Sequence, residues 1–356
     1  HNLASPSCNI HCWSTIPLLS PRLITQCLQT DNTMRSVLAV FLVVFAVISA
    51  ANAYASFSHS PWHKFQRLGA LSSTANNNQP KSLTTLDIMS LSSIRSSLIR
   101  QEDSIIFALI ERSQYLTNKR IYDPKGLGFN SSQHSADFLG GETESFLEYM
   151  LRGTERLHAS VRRYSSPEEH RFYPDAENKA SVLPKLIYPE LLSGREEADN
   201  VNFNVVLLDE YVKRIVGGSI TDGGDDEQYG SSVLADINAL QALSRRIHYG
   251  KFVAESKFRN DEVTYRRLVD EGDVDGVMKL LTNKAVEERV LARAAKKAAT
   301  YGRDPGEDSD CEGKVKPEEI ARVYEELVIP LTKKVEVAYL FLRCGKPCPP
   351  GYEGTI

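Results

Sequence analysis

The stretch Leu240-Gln241-Ala242-Leu243-Ser244-Arg245-Arg246-Ile247-His248-Tyr249-Gly250-Lys251-Phe252-Val253-Ala254-Glu255-Ser256-Lys257-Phe258 decides the fold. With Ile237 just ahead of it, the apolar residues Leu240, Leu243 and Ile247 recur at three- and four-residue steps, the spacing of one helix face. Arg246 and Lys257 lie eleven positions apart in it. Eleven residues make almost three turns, so both cations point the same way, roughly 16 Å apart along the axis. Two long cationic side chains leaning toward each other can hold a small dianion between them. Spacing alone leaves a second reading open, a solvated basic face.

Upstream, Ile88, Leu91, Arg95, Leu98, Glu102, Ile105 and Leu109 form one seam at alternating three- and four-residue steps. Arg95 stands inside that apolar stripe. A cation there is costly unless it is paired or meets a ligand, although an arginine can also snorkel its charge to water. Downstream, Asn283 and Glu287 are spaced i, i+4, as are Thr332 and Glu336 with Lys333 beside them. Taken alone, Asn283 and Glu287 read as ordinary exposed helix residues. Turn signals at Asp123-Pro124-Lys125-Gly126, from Gly217 to Asp226, and from Tyr301 to Cys311 separate the helical stretches. The alternation Val201-Asn202-Phe203-Asn204-Val205 has the period of a strand but no obvious partner. The expected fold is all-α, a single-domain multi-helix bundle.

Hydrophobic residues make up 42% and charged residues 25% of the 356, ordinary values for a globular protein. The net charge of −4 argues against general nucleic-acid binding. Of six cysteines, Cys8, Cys12, Cys27, Cys344 and Cys348 lie outside the stretch 85–343, and Cys311 sits in an acidic loop. No disulfide framework or zinc site is indicated.

Residues 1–33 show no periodicity and stay unexplained, with translated upstream sequence as one reading. Met34-Arg35 then opens a short apolar run ending in small residues at Ala53, the pattern of a signal peptide over 34–53. Residues 54–84 are rich in Ser and Asn, contain Lys64, Arg67 and Lys81, and lack acidic residues, as transit peptides do. The joint Ala53-Tyr54-Ala55-Ser56-Phe57 resembles the cleavage motif of bipartite presequences for complex plastids. The expected destination is a plastid, with no membrane association of the mature form. The alternative is secretion. Asn130-Ser131-Ser132 is a glycosylation sequon. Residues 344–356, with Pro347, Pro349 and Pro350, cannot continue a helix and are read as a gene-model or splicing artefact or else a disordered tail.

Ordered blocks along 85–343 carry a family resemblance. They include Glu102-Asp103-Ser104-Ile105-Ile106-Phe107, Ser160-Val161-Arg162-Arg163-Tyr164, Phe172-Tyr173-Pro174, the run from Leu240 to Phe258, Thr282-Asn283-Lys284-Ala285-Val286-Glu287-Glu288, and Ile329-Pro330-Leu331-Thr332-Lys333-Lys334-Val335-Glu336. In that order they resemble chorismate mutase in its eukaryotic, all-helical, feedback-regulated form. The resemblance implies a homodimer that rearranges chorismate to prephenate without a cofactor, on the way to phenylalanine and tyrosine. It implies Arg95 and Arg246 as clamps for two carboxylates, and Lys257 and Glu336 as partners of the ether oxygen. It implies Glu287 as acceptor from the substrate hydroxyl and Asn283 as a neutral polar contact, with Thr332 and Lys333 completing the site. It further implies an effector pocket for tryptophan and tyrosine at the dimer interface, built from Arg162, Arg163, Gly230 and Ser231. There the chain departs from the family: Leu234 stands where a hydroxyl-bearing residue is expected, and Glu227-Gln228 replace a pair of small amides. By analogy, Glu102 is expected to pair with Arg246 or Arg293.

Overall fold

The computed structural model describes residues 88–127, 144–173, 191–192, 200–218, 220–303 and 313–354. The segments read as upstream sequence, signal peptide and transit peptide, and the sequon at Asn130, lie outside the described residues. Every regular element among the described residues is helical. No helix among them is long and apolar enough to cross a membrane.

Helix α1 (Leu91–Arg112) starts at Ser90, whose hydroxyl accepts from the Ser93 N–H at 3.3 Å. Its Ile94, Ile105, Ile106 and Leu109 are buried, and the helix packs along α4 (Tyr229–His248). Arg112 locks the pair. Fully buried, it donates from Nε to Asp236 Oδ1 at 2.6 Å and from its other nitrogens to the carbonyls of Tyr115, Leu116 and Thr117 at 3.1 Å. The Tyr211 and Tyr122 hydroxyls donate to the same carboxylate at 2.8 and 2.5 Å. A buried ion pair this fully satisfied can be kept, but loss of one partner typically costs about 3–5 kcal/mol.

Helix α2 (Phe146–Ser160) opens on a reciprocal capping box between Ser145 and Glu148 and packs on α4. Residues 201–203, which alternate like a strand, belong to no regular element, and α3 (Asn204–Glu210) begins directly after Phe203. Val201 and Phe203 are buried, and the side-chain amides beside them bond to loop carbonyls: Asn202 Nδ2 donates to Arg171 O at 2.8 Å and Asn204 Nδ2 to His170 O at 3.0 Å.

The helix read from Leu240 to Phe258 is divided at Tyr249 into α4 and α5 (Gly250–Asn260). The division is slight. Tyr249 keeps helical dihedrals (φ −62°, ψ −13°), and the ladder tightens there, Phe252 N donating to Tyr249 O at 3.1 Å. Arg246 and Lys257 therefore stay on nearly one rod. Helices α6 (Glu262–Glu271) and α7 (Val274–Leu281) lead to α8 (Lys284–Tyr301), which packs on α1. Helix α9 (Pro317–Val323) passes through a π-helical turn, Tyr324–Val328, into α10 (Ile329–Arg343). Pro330 has no N–H to donate into the preceding turn, so a regular ladder cannot run through this point. Helix α10 packs on α5, α4 and α7.

The segment after Arg343, expected as a disordered tail, has a defined path through 354. Gly345 (φ +75°) ends α10 in a Schellman motif, with Lys346 N donating to Phe341 O and Gly345 N to Leu342 O, both at 2.9 Å. Lys346 then pairs with Asp270 at 3.1 Å, Pro349 is buried, and Gly354 lies so close to the Asn202 backbone that a Cβ would stand 2.5 Å from its carbonyl oxygen. The helix stops where proline and glycine say it must, but contacts remote in sequence hold the residues beyond its end.

Candidate active site

A cavity of about 550 Å³ opens between α1, α4, α5, α8 and α10. Its wall includes every residue expected at the site: Arg95, Arg246, Lys257, Asn283, Glu287, Thr332, Lys333 and Glu336. Depth sorts them. Arg246, Thr332 and Glu336 are buried, Lys257, Glu287 and Lys333 half-buried, and Arg95 and Asn283 exposed. Arg95 is thus not on a buried stripe, as its position in the seam implied. Leu91, Leu98 and Glu102 line the same cavity, so this length of the α1 seam faces an opening rather than packed core. Asn283 also differs from expectation. It is the N-cap of α8 rather than a residue within it, its Oδ1 accepting from the Val286 N–H at 3.1 Å. The cap uses the amide oxygen and leaves the –NH₂ out of that bond.

The charges of the wall are unequal. Arg95, Arg246, Lys257, Arg289, Arg293 and Lys333 face Glu102, Glu287 and Glu336. Two of the carboxylates are taken. Arg293 holds Glu102 in a bidentate fork at 2.7 and 2.5 Å, which realises one of the two pairings expected of Glu102. Lys333 holds Glu287 at 2.9 Å across α8 and α10. Arg95, Arg246, Lys257 and Arg289 have no ion-pair partner among the described residues. Arg246 reaches only Thr332 Oγ1, at 3.5 Å, and its buried Nε has no hydrogen-bond partner among the described residues. Burial lowers its pKa, yet a guanidinium stays charged at any physiological pH. Lys257 Nζ donates to the Leu281 carbonyl, which aims the ammonium along the wall.

Glu336 is the one carboxyl of the wall without a bonded cation among the described residues. Burial above all, with Glu287 adding to it, raises its pKa to about 7 against the pull of Lys257, Arg246 and Lys333. Near neutrality it is therefore populated as a neutral acid able to donate a hydrogen bond. Apolar side chains, among them Ile94, Val253, Val290 and Ile329, close the remainder of the wall. The whole is a partly open cavity with cations at its mouth and depth, fit to hold an anion with two charges.

The family model of chorismate mutase type II matches residues 231–337. The chain is 43% identical over 257 residues to a chorismate mutase of Saccharomyces cerevisiae, covering 72% of this chain and 96% of that protein. The chain belongs to the chorismate mutase family. It is also 39% identical over 316 residues to the chloroplastic chorismate mutase 1 of Petunia hybrida, covering 83% of this chain and 93% of that protein. Among solved structures, the Aro7p chorismate mutase of Candida albicans, in complex with L-Trp, is similar with a TM-score of 0.66 at 39% identity, covering 75% of this chain and 97% of that one. As a chorismate mutase the chain is an isomerase, turning chorismate into prephenate by an intramolecular Claisen rearrangement.

The residues that the family resemblance assigns to effector binding stand apart from the cavity of this chorismate mutase. Arg162 follows α2 in the left-handed region at φ +59°. Arg163 is engaged inside the subunit: Nε donates to Glu169 at 3.0 Å, and NH1 meets His158 Nδ1 at 2.9 Å and Gln241 Oε1 at 2.8 Å. Arg245 grips the other oxygen of Glu169 at 2.5 Å. Gly230 and Ser231 are in the first turn of α4, one turn before the exposed Leu234.

Two residues near the cavity carry no signal in the sequence pattern. The Tyr324 hydroxyl is buried near Arg246 with no hydrogen-bond partner among the described residues, and burial drives its pKa far up. Nothing in an apolar helix pattern marks it. Gly250 lies within the run from Leu240 to Phe258, but its reason lies on another helix.

Proposed function

We propose that this cavity is where chorismate rearranges, and that four cations without carboxylate partners among the described residues are the observation that carries the reading. Chorismate is a dianion whose enolpyruvyl ether must fold over the ring, and the transition state leaves partial negative charge on the ether oxygen. Arg95 at the mouth and Arg246 in the depth clamp the two carboxylates, for which a guanidinium fork is matched. Lys257 supplies a charged donor to the ether oxygen, and protonated Glu336 a neutral one. Glu287, steadied by Lys333, accepts from the substrate hydroxyl, and the Asn283 amide adds a polar contact. Thr332 bridges Arg246 and α10 through its hydroxyl. Such a site works by selecting the reactive conformer and by presenting fixed donors where charge develops.

Regulation and setting belong to the same reading. The chain acts as a homodimer whose Arg162 and Arg163 bind the carboxylate of tryptophan or tyrosine, with Gly230 and Ser231 from the partner protomer. The Candida albicans relative, solved with L-Trp, supports this. The chloroplastic Petunia hybrida relative and the composition of residues 54–84 support a plastid as the location, with secretion as the alternative. The direct test of activity is to incubate the purified chain with chorismate and measure prephenate. Absence of conversion by folded protein would refute it.

A further inference from the structure

Gly250 opens α5 in a helical conformation, one turn past Arg246 and two turns before Lys257. Glycine is among the poorest helix formers. Gly250 has no left-handed backbone angle to explain it. The explanation lies across the interface with α10. A Cβ at position 250 would stand 3.0 Å from Thr332 Cγ2, 3.1 Å from Thr332 O and 3.3 Å from Glu336 Cγ. None of these is the loose end of a flexible chain. One is helix backbone. Another belongs to a β-branched side chain whose hydroxyl is fixed by donation to Val328 O at 2.6 Å. The third is the stem of a buried glutamate.

We infer that Gly250 is a positioning residue for the rearrangement: its missing side chain is the notch that lets α10 set Thr332 and Glu336 against Arg246 and Lys257. The inference rests on the roles proposed for Glu336 and Lys257 in the cavity. A side chain at 250 forces Thr332 and Glu336 to yield by a few tenths of an ångström, while Arg95 on α1 is untouched. Misplacement of about 1 Å can cost about 10²-fold in rate, so a smaller shift is expected to cost about tenfold. The loss falls on kcat, because the groups moved act on the developing charge rather than on the ground-state carboxylates. The alkaline limb of the pH profile moves too. Glu336 is faced by Lys257 from α5, Arg246 from α4, Lys333 from α10, Glu287 from α8 and Tyr265 from α6, and a new methyl group changes its distance from each.

The experiment compares full-length wild type, Gly250→Ala, Thr332→Ser and the double variant. Thr332→Ser removes the methyl that a Cβ at 250 would strike and keeps the hydroxyl. The expected result is a roughly tenfold lower kcat for Gly250→Ala, KM within about threefold, a displaced alkaline limb, and a smaller effect of Gly250→Ala in the Thr332→Ser background. The inference is overturned by wild-type kcat and pH profile in Gly250→Ala, by an equal loss in both backgrounds, or by a loss that only tracks a fall in Tm. Arg246→Ala, run beside them, separates the two levels: if that variant keeps full activity, the reading of the cavity fails whatever Gly250 does.

Discussion

Glu336 is 6% exposed and surrounded by three cations, yet burial lifts its carboxyl to about 7. An ether oxygen carries lone pairs and cannot donate, and a carboxylate facing it would repel the charge that develops there. In the donor role proposed for Glu336, only the protonated form can act. A bound dianion disfavours the charged form further, so activity falls as pH rises through the Glu336 pKa in the complex. Glu336→Gln supplies an amide donor at every pH. It is expected to remain active on the alkaline side with a flatter profile, read from kcat on both sides of neutrality. The same dependence in both proteins would remove Glu336 from the donor role. That this residue is a candidate was legible in the family's motif, since the Thr332–Glu336 spacing alone marks only a shared helix face. Its depth was not, because burial is a property of α4, α5 and α7 packing on α10. Arg95 misled in the opposite sense: the seam foretold a buried cation, but the seam there borders a cavity.

At the level of elements, α1 and the α4–α5 run were legible because their apolar steps are local, while the caps came to light only in the structure. Ser90, the Ser145–Glu148 box and Asn283 mark three starts by side chains that accept from the first turn. What was not legible is where a helix changes its winding. Neither the tightening at Tyr249 nor the π turn was read from the sequence, although Pro330 marks locally where the ladder cannot stay regular. The path of residues 344–354 was hidden because Asp270 and Asn202 hold it from far away in sequence. Gly345 gives a clean test. Its φ is +75° and a Cβ there would meet nothing within 4 Å, so substitution has a conformational cost alone. Gly345→Ala is expected to destabilise by about 1 kcal/mol and to lower Tm by about 2–4 °C without changing kcat. An unchanged Tm would show that the motif at the end of α10 does not contribute to stability.

For the molecule as a whole, residues from Arg95 to Glu336 converge on one space because α1, α4, α5, α8 and α10 surround it. Regulation has to reach that space from outside. Arg163 and Arg245 share Glu169, and Arg245 is the chain neighbour of Arg246 on α4. An effector carboxylate competing for Arg163 would therefore disturb a network attached to the catalytic helix. Tyrosine is expected to raise and tryptophan to lower the apparent KM, with coupling of about 1–3 kcal/mol. Flat kinetics at saturating concentrations of both would refute the proposed effector pocket, in which Leu234 and Glu227 depart from the family pattern. The central claim is tested most directly by Arg246→Ala, with folding checked by circular dichroism and chorismate turnover measured beside wild type. The cavity as described predicts a fall in kcat/KM of at least about 10²–10³, as for loss of a preorganised donor in a closed site. Near-wild-type turnover by the folded variant would contradict it.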